Sequence, residues 1–470
     1  MRKFVGAAVV FISTLFLLDS DSVYAQESIS SEWLTTSSRS ILFKNTGRKL
    51  PFKDVDGSLQ KIEVDDSKLF QEIDGFGYAL TGGSAMHMIR MSAPARAALI
   101  RELFDTSGSN IGVSYIRLSI GASDLNEKVF SYNDLPNGQT DPAMKHFDLG
   151  ADRQDVIPVM KEILKIFPAL KIMGSPWSPP TWMKTNNDSR GGRLKPEFYS
   201  AYALYFVKYI QQMQQEGIRI DAITIQNEPL HPGNNPSLLM TAPEQAEFVA
   251  RHLGPAFEKA NIETKIIVYD HNADRPDYPI RIYRDPEAAR YIDGSAFHLY
   301  GGRIEALTDV HNAFPDKHIY FTEQMVVERK GDTMLRITAP VRRLIIGASR
   351  NWSRIVLEWN LAADPEHKPY TDRGGCTMCQ GAVTIDKDSI TRNLAYYSVA
   401  HASKFVRPGS VRIGSTLVDS LSNVAFKTPG GKIVLIVSND SKNKKAFNIL
   451  YKGKAARTDL EPGAVATYVW

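Results

Sequence analysis

A (β/α)8 barrel with an attached all-β sandwich is the fold the sequence predicts, and three observations predict it. Between residues 75 and 405, short β-branched or aromatic runs alternate eight times with helical stretches. Alternation of that kind implies parallel strands closed into a barrel. Beyond residue 405 the helical period gives way to strand-like runs separated by Gly, Asn, Lys and Pro. At 470 residues, the chain is longer than a barrel of ordinary size and leaves room for a second layer.

The elements follow in order. Strands are expected over 75–79, 114–120, 170–175, 222–225, 265–269, 294–298, 319–323 and 354–359. Helices are expected over 94–104, 152–167, 196–216, 243–259, 286–291, 303–314, 335–349 and 389–405, with Ser92 a candidate N-cap of the first. The tail offers strands over 432–437, 446–451 and 464–470, and the N-terminal segment offers pieces such as 61–64. The expected domains are therefore an N-terminal sandwich segment over 26–70, the barrel over 71–405 and the rest of the sandwich over 406–470.

Residues 1–25 read as an export signal. Met1-Arg2-Lys3 is basic, 4–18 is apolar, and Val23-Tyr24-Ala25 is a small-x-small cleavage site. The apolar run is short for a membrane span and polar Asp19 to Ser22 follow it. No Cys stands near the cleavage site to take a lipid. The chain is therefore expected in the periplasm or outside the cell, without a stable membrane anchor. Hydrophobic residues at 43% and charged residues at 23% exclude wholesale disorder. A net charge of +4 with no basic run gives no footprint for nucleic acid.

In a barrel all strand C-termini meet on one face, where the chemistry sits. Ala222-Ile223-Thr224-Ile225-Gln226-Asn227-Glu228-Pro229 starts as a buried strand and ends abruptly polar, and Pro229 blocks further pairing. Ile319-Tyr320-Phe321-Thr322-Glu323 has the same form. Two carboxylates on rigid strand ends are the minimum equipment of a glycosidase. The other ends bring Asp124, Trp177, Asp270, His271, His298, Tyr300 and Trp359 to the same face. Aromatic planes suit the apolar face of a sugar ring, and carboxylates and amides suit its hydroxyls. A metal-dependent hydrolase would need His-x-His or a carboxylate cluster at strand one, which Gly75-Phe76-Gly77 does not offer. No metal and no cofactor are expected. A carbohydrate-binding barrel without catalysis is the reading from another class, and the presence of both glutamates argues against it. The two cysteines, Cys376 and Cys379, favour a loop disulfide in an exported chain, ahead of free thiols and of half a zinc site.

From Ile73 onward the chain resembles glycoside hydrolase family 30, which holds glucosylceramidases and endo-β-1,6-glucanases. The motifs are Asp74-Gly75-Phe76-Gly77, Ser175-Pro176-Trp177-Ser178-Pro179-Pro180-Thr181-Trp182-Met183-Lys184, Gln226-Asn227-Glu228-Pro229, His298-Leu299-Tyr300, Thr322-Glu323-Gln324 and Glu358-Trp359-Asn360. The resemblance implies a barrel with a side sandwich built from both chain ends. It implies Glu228 as acid/base, Glu323 as nucleophile and Asn227 on the sugar 2-hydroxyl. Asp124, Trp177 and Trp359 would hold the non-reducing glucose with Trp182 near it, and Arg117, His298 and Tyr300 would set the charge of Glu323. The expected charge order is Glu323 ionised beside Arg117 and Glu228 raised in a drier wall. Leu299 stands where lysosomal glucosylceramidases carry Trp. Leu230-His231-Pro232-Gly233-Asn234-Asn235 is more similar to the β-1,6-glucanase branch. The leading substrate is therefore β-1,6-glucan, with glucosylceramide-like β-glucosides second.

Overall fold

The computed structural model describes residues 1, 28–55, 57–329 and 331–470. Apart from Met1, the expected export signal lies outside the described residues. Eight parallel strands close a barrel in chain order: Gly75–Leu80, Tyr115–Ile120, Lys171–Pro176, Ala222–Thr224, Lys265–Ala273, Ile292–Gly302, His318–Glu323 and Ser353–Asn360. Among the described residues no helix is long and apolar enough to cross a membrane.

Strand periodicity divides the barrel interior into two levels. Tyr115, Met173, Ala222, Ile267, Ala296, Tyr320, Ile355 and Leu357 pack together as one apolar layer drawn from seven strands. Two residues further along, the same strand faces present Arg117, Ser175, Thr224, His298 and Thr322. All five are fully buried. The apolar layer holds the barrel closed, and the polar layer above it becomes the floor of the site.

The outer elements depart from expectation in several places, and a helix over Gly82–Arg90 was not expected at all. The helix expected over 389–405 is shorter, Leu394–Ser403, because Ser389–Arg392 pairs with Val383–Asp386 as a hairpin. That hairpin docks on Ala362–Ala363, just past strand eight. A short helix, Asp277–Tyr283, follows strand five ahead of the expected one, which spans Pro286–Ala289.

The sandwich sheet has nine strands in the spatial order Lys454–Leu460, Lys445–Tyr451, Gln60–Ile73, Ser410–Ser415, Leu421–Lys427, Ile433–Asn439, Val465–Val469, Ser31–Thr35 and Lys44–Asn45. The N-terminal strand Gln60–Ile73 lies inside the C-terminal set and runs past residue 70 to within one residue of barrel strand one. Ile433, Leu435 and Val437 face the sandwich core, while Val434 and Ile436 face the barrel core. A strand buried on both faces reads as a continuous apolar run, which Ile433–Val437 is.

Candidate active site

The floor of the site is a buried ion network. Arg117 on strand two donates through Nη1 to Glu323 Oε2 (2.6 Å) and through Nη2 to Asn227 Oδ1 and Asp270 Oδ2 (both 2.8 Å). Its Nε donates to Ser175 Oγ at 3.0 Å. Thr224 and Thr322 each donate to Asp270 at 2.7 Å. Asp270 reaches this network because the backbone turns it inward. Tyr269 and Asp270 both have positive φ, 74° and 64°, and the register with strand six slips there. Left-handed non-glycine residues persist only where the surroundings over-determine them, and they cluster at functional sites. Against its burial, Arg117, His298 and Thr322 hold the Asp270 carboxyl far below the usual range.

The two glutamates stand on this floor. An oxygen of Glu228 and an oxygen of Glu323 lie within 4.8 Å of one another. Glu228 sits in the left-handed region with φ 45°, held by its N–H on Asp270 O (2.9 Å) and by the His231 N–H on its own carbonyl (2.9 Å). His298 lies beneath both carboxyls. Its Nδ1 is 3.2 Å from Glu228 Oε1 and 3.8 Å from Glu323 Oε1, and its Nε2 is 3.1 Å from Asp270 Oδ1. Burial alone would lower the imidazole pKa, but Glu323, Asp270 and Glu228 push it up to about 10. His298 is therefore a cation and donates from both nitrogens. Tyr300 OH donates to Glu323 Oε1 at 3.0 Å and accepts the Met325 N–H. His271 Nδ1 is 3.8 Å from Glu228, and burial lowers this imidazole to about 4, so it is neutral.

The site now has two cations, Arg117 and His298, and three carboxyls, Asp270, Glu228 and Glu323. Two carboxyls this close disfavour double ionisation, so the glutamates titrate as a pair that shares a proton. Burial raises both. His298 then brings Glu228 below the ordinary carboxylate value, whereas burial, added to the Glu228 charge, keeps Glu323 above it despite His298 and Arg117. The sequence expectation put the charge on Glu323 and the proton on Glu228; in the free protein His298 bonds Glu228 directly and favours charge there, while Arg117 bonds Glu323 at 2.6 Å. Glu228, His298 and Glu323 are also close enough to suggest a metal trio. Within the trio His298 Nδ1 faces Glu228 Oε1, while His298 Nε2 faces Asp270 and Glu323 Oε2 faces Arg117.

A cavity of about 240 Å³ lies above the pair. At one end it is closed by Asp124, Trp177 and Trp359, all buried. The two indoles are 5.4 Å apart, and the Arg117 guanidinium lies 4.9 Å from the Trp177 ring. Burial, Glu323 and Glu228 push the Asp124 carboxyl up to about 7. Cys376 and Cys379 form a disulfide that lines this end and packs with both indoles. At the other end stand His231, Asn234, Asn272 and Tyr300. Asn234 Nδ2 donates to Glu228 Oε2 at 3.3 Å.

The structure thus brings Asp124, Trp177, Asn227, Glu228, Tyr300, Glu323, Trp359 and both cysteines around one cavity, with Arg117 and His298 beneath it. Trp182 is the exception. Its indole N–H donates to Asn133 O (3.0 Å), and its ring packs edge-on against Phe198 in the core, away from the cavity lining. Sequence reasoning gave no role to Ser175, Thr224, Thr322 or Asn234, and it named Asp270 only as a strand-end residue. The three hydroxyls carried a signal, since each sits at an inward strand position where an apolar residue would be ordinary. For the contact of Asp270 with Arg117 there was none, because its inward turn depends on the bulge.

Comparisons with known proteins bear on the family and the fold. Residues 73–406 match the glycosyl hydrolase family 30 TIM-barrel domain and 409–468 match the family 30 beta sandwich domain. An endo-1,6-beta-D-glucanase of Neurospora crassa is 36% identical over 372 residues, 76% of each chain. The lysosomal acid glucosylceramidase of Mus musculus is 29% identical over 439 residues, 87% of this chain and 83% of that one. A solved endo-beta1,6-glucanase superposes with a TM-score of 0.85 at 34% identity, covering 94% of this chain and 99% of the other. The chain belongs to glycoside hydrolase family 30 and is a glycoside hydrolase.

Proposed function

We propose that the protein is an exported, retaining hydrolase of β-1,6-glucan. The separation of the two carboxyls carries this reading. Oxygens within 4.8 Å suit a retaining pair, whose carboxyls stand about 5–5.5 Å apart, and leave no room for the water an inverting enzyme places between them. Glu323 is the nucleophile because Arg117 and Tyr300 both donate to it and hold its oxygens in place. Glu228 is the acid/base. A glycosidic carbon above Glu323 develops positive charge, which favours the ionised form of that carboxyl and leaves the shared proton on Glu228. Glu228 gives this proton to the leaving oxygen, Glu323 bonds to the anomeric carbon, and a water deprotonated by Glu228 then releases the sugar with its configuration retained. Asn227, with its Oδ1 fixed by Arg117, has its amide N–H groups for the 2-hydroxyl. Asp124, Trp177 and Trp359 hold the non-reducing sugar.

The β-1,6 linkage rests on the Neurospora relative and the solved glucanase. Glucosylceramide-like β-glucosides are the second reading, on the likeness to the mouse enzyme. Export rests on the signal-like residues 1–25 and on the disulfide. Product analysis on a β-1,6-glucan, a β-1,3-glucan and glucosylceramide in parallel tests the reading. It predicts β-configured oligosaccharides first and fastest from the β-1,6-glucan. Faster turnover of glucosylceramide would overturn the substrate, and an α-configured first product would overturn the mechanism.

A further inference from the structure

We propose that His231 and Asn272, at the open end of the cleft, form the leaving-group subsite, and that the leaving group they take is a second sugar residue. The inference rests on the hydrolase reading above and adds where the aglycone sits and what chemistry it has.

The cleft is asymmetric about the catalytic pair. Asp124, Trp177 and Trp359 at one end are buried, whereas Asn234 and Asn272 are half-buried and His231 and Tyr300 exposed at the other. The proton must reach the glycosidic oxygen from Glu228, and Asn234 donates to Glu228 Oε2. The leaving group therefore lies on the Asn234 side. The side chains waiting there are an imidazole, two amides and a phenol, and Met325 is the apolar neighbour. Asn272 Oδ1 accepts the Tyr300 N–H at 3.0 Å, which fixes the amide and leaves its N–H2 as a donor. Tyr300 OH and the Asn234 amide already pair with the two glutamates. Hydroxyl groups can pair with the His231 imidazole and the Asn272 amide, which an acyl or sphingoid chain cannot do.

This end is also preformed. The imidazole of His231 is folded over Gly233, where an added Cβ would lie 3.0 Å from its ring. The loop after strand eight presses on the same turn. Gly374, at φ 152°, would place a Cβ 2.6 Å from Gly233 O and 2.9 Å from Asn235 N. Asn235 ties three loops together. Its Nδ2 donates to Asp372 O and Oδ1 (3.0 Å each), its Oδ1 accepts from Ser189 Oγ (2.6 Å), and its carbonyl accepts from Thr371 Oγ1. A subsite held this way binds without ordering a loop first, which favours affinity for a small polar partner.

The test uses His231→Phe, which keeps a ring over Gly233 and removes both nitrogens, with His231→Gln as the conservative variant. The full-length enzyme is given 4-nitrophenyl β-glucoside with gentiobiose as acceptor, and the ratio of glucosyl transfer to hydrolysis is measured. In parallel, kcat/KM on a β-1,6-linked glucose trisaccharide is divided by kcat/KM on the aryl glucoside. His231→Phe is expected to lower both ratios by about tenfold or more, and His231→Gln to recover most of the loss. Ratios within about twofold of the parent enzyme would overturn the subsite. So would a rise in glucosylceramide turnover in the parent above its turnover of the trisaccharide. If the parent enzyme cleaves neither the trisaccharide nor the aryl glucoside, the β-1,6-glucan reading itself fails, and the inference with it.

Discussion

The two ends of the barrel make an instructive pair. At the N-terminal end of the strands lies a cavity of about 440 Å³ lined by residues including Asp74, Lys171, Arg219, Asp221 and Lys265. The cleft at the C-terminal end is about 240 Å³. The larger cavity is the quieter one. Asp74 is paired with Arg354 at 2.8 Å, and Asp221 with Arg219 at 2.7 Å and Lys171 at 3.4 Å. In and beneath the smaller cleft four buried carboxyls, Asp124, Glu228, Asp270 and Glu323, face the two cations Arg117 and His298, so protons must be held there. Buried charge that does not balance marks the chemical end of this barrel, and cavity size does not.

The contrast can be broken most severely at Glu228. Glu228→Ala removes the proton donor and keeps the nucleophile. Substrates with poor leaving groups should lose on the order of 10²–10⁴ in rate, while the first step on activated aryl glucosides survives. Azide should then speed turnover and give the β-glucosyl azide. An α-azide, or rescue with retention of Glu323→Ala instead, would reverse the roles.

Next in size is the floor. Asp270→Asn removes the carboxylate that bonds Arg117 Nη2 and His298 Nε2 directly, so each buried cation loses one ion-pair partner. Loss of one partner of a buried ion pair is expected to lower unfolding free energy by about 3–5 kcal/mol, read by urea unfolding. A loss below about 1 kcal/mol would show that the network is not what holds the floor.

Those two positions also show what the sequence could carry. Glu228 and Glu323 were legible because each ends an apolar strand run, and the C-terminal face of a barrel needs no contact map to assemble. Asp270 was visible as a strand-end residue but not as the partner of Arg117. With Ile267 inward, period two sends residue 270 outward, and the left-handed Tyr269 and Asp270 override that period. Trp182 was misplaced for a different reason. It stands six residues beyond strand three, where no periodicity constrains direction. Gln60–Ile73 was legible only as a fragment, because its partners Ser410–Ser415 and Lys445–Tyr451 are hundreds of residues away.

Glu358 tests parity directly. Leu357 points into the barrel, so Glu358 points out beneath Leu394–Ser403, where Ser398 donates to Oε1 and Oε2 has no partner among the described residues. Burial pushes its carboxyl up to about 8. A folded pKa above the unfolded one gives stability that is whole below about pH 4.3 and drains as pH rises toward 8. Glu358→Gln stays neutral throughout. Its melting temperature should therefore gain on that of the parent protein by about 2–4 °C or more between pH 5 and pH 8. A gap that does not change with pH would mean the carboxyl is not held neutral.

The smallest effect belongs to the quiet end. Arg219 is 69% exposed in its pair with Asp221. Arg219→Ala should change stability by about 1 kcal/mol or less and leave kcat/KM on aryl glucosides as it was. A several-fold loss of activity would place chemistry at the wrong end of the barrel.

The central claim is that Glu323 attacks the sugar. A 2-deoxy-2-fluoro β-glucoside with a good leaving group traps the covalent intermediate, and peptide mapping by mass spectrometry locates it. The expected result is one glycosyl label on Glu323, absent from Glu323→Gln. A label on Glu228, Asp124 or any other carboxyl, or no label while turnover continues, would contradict the account.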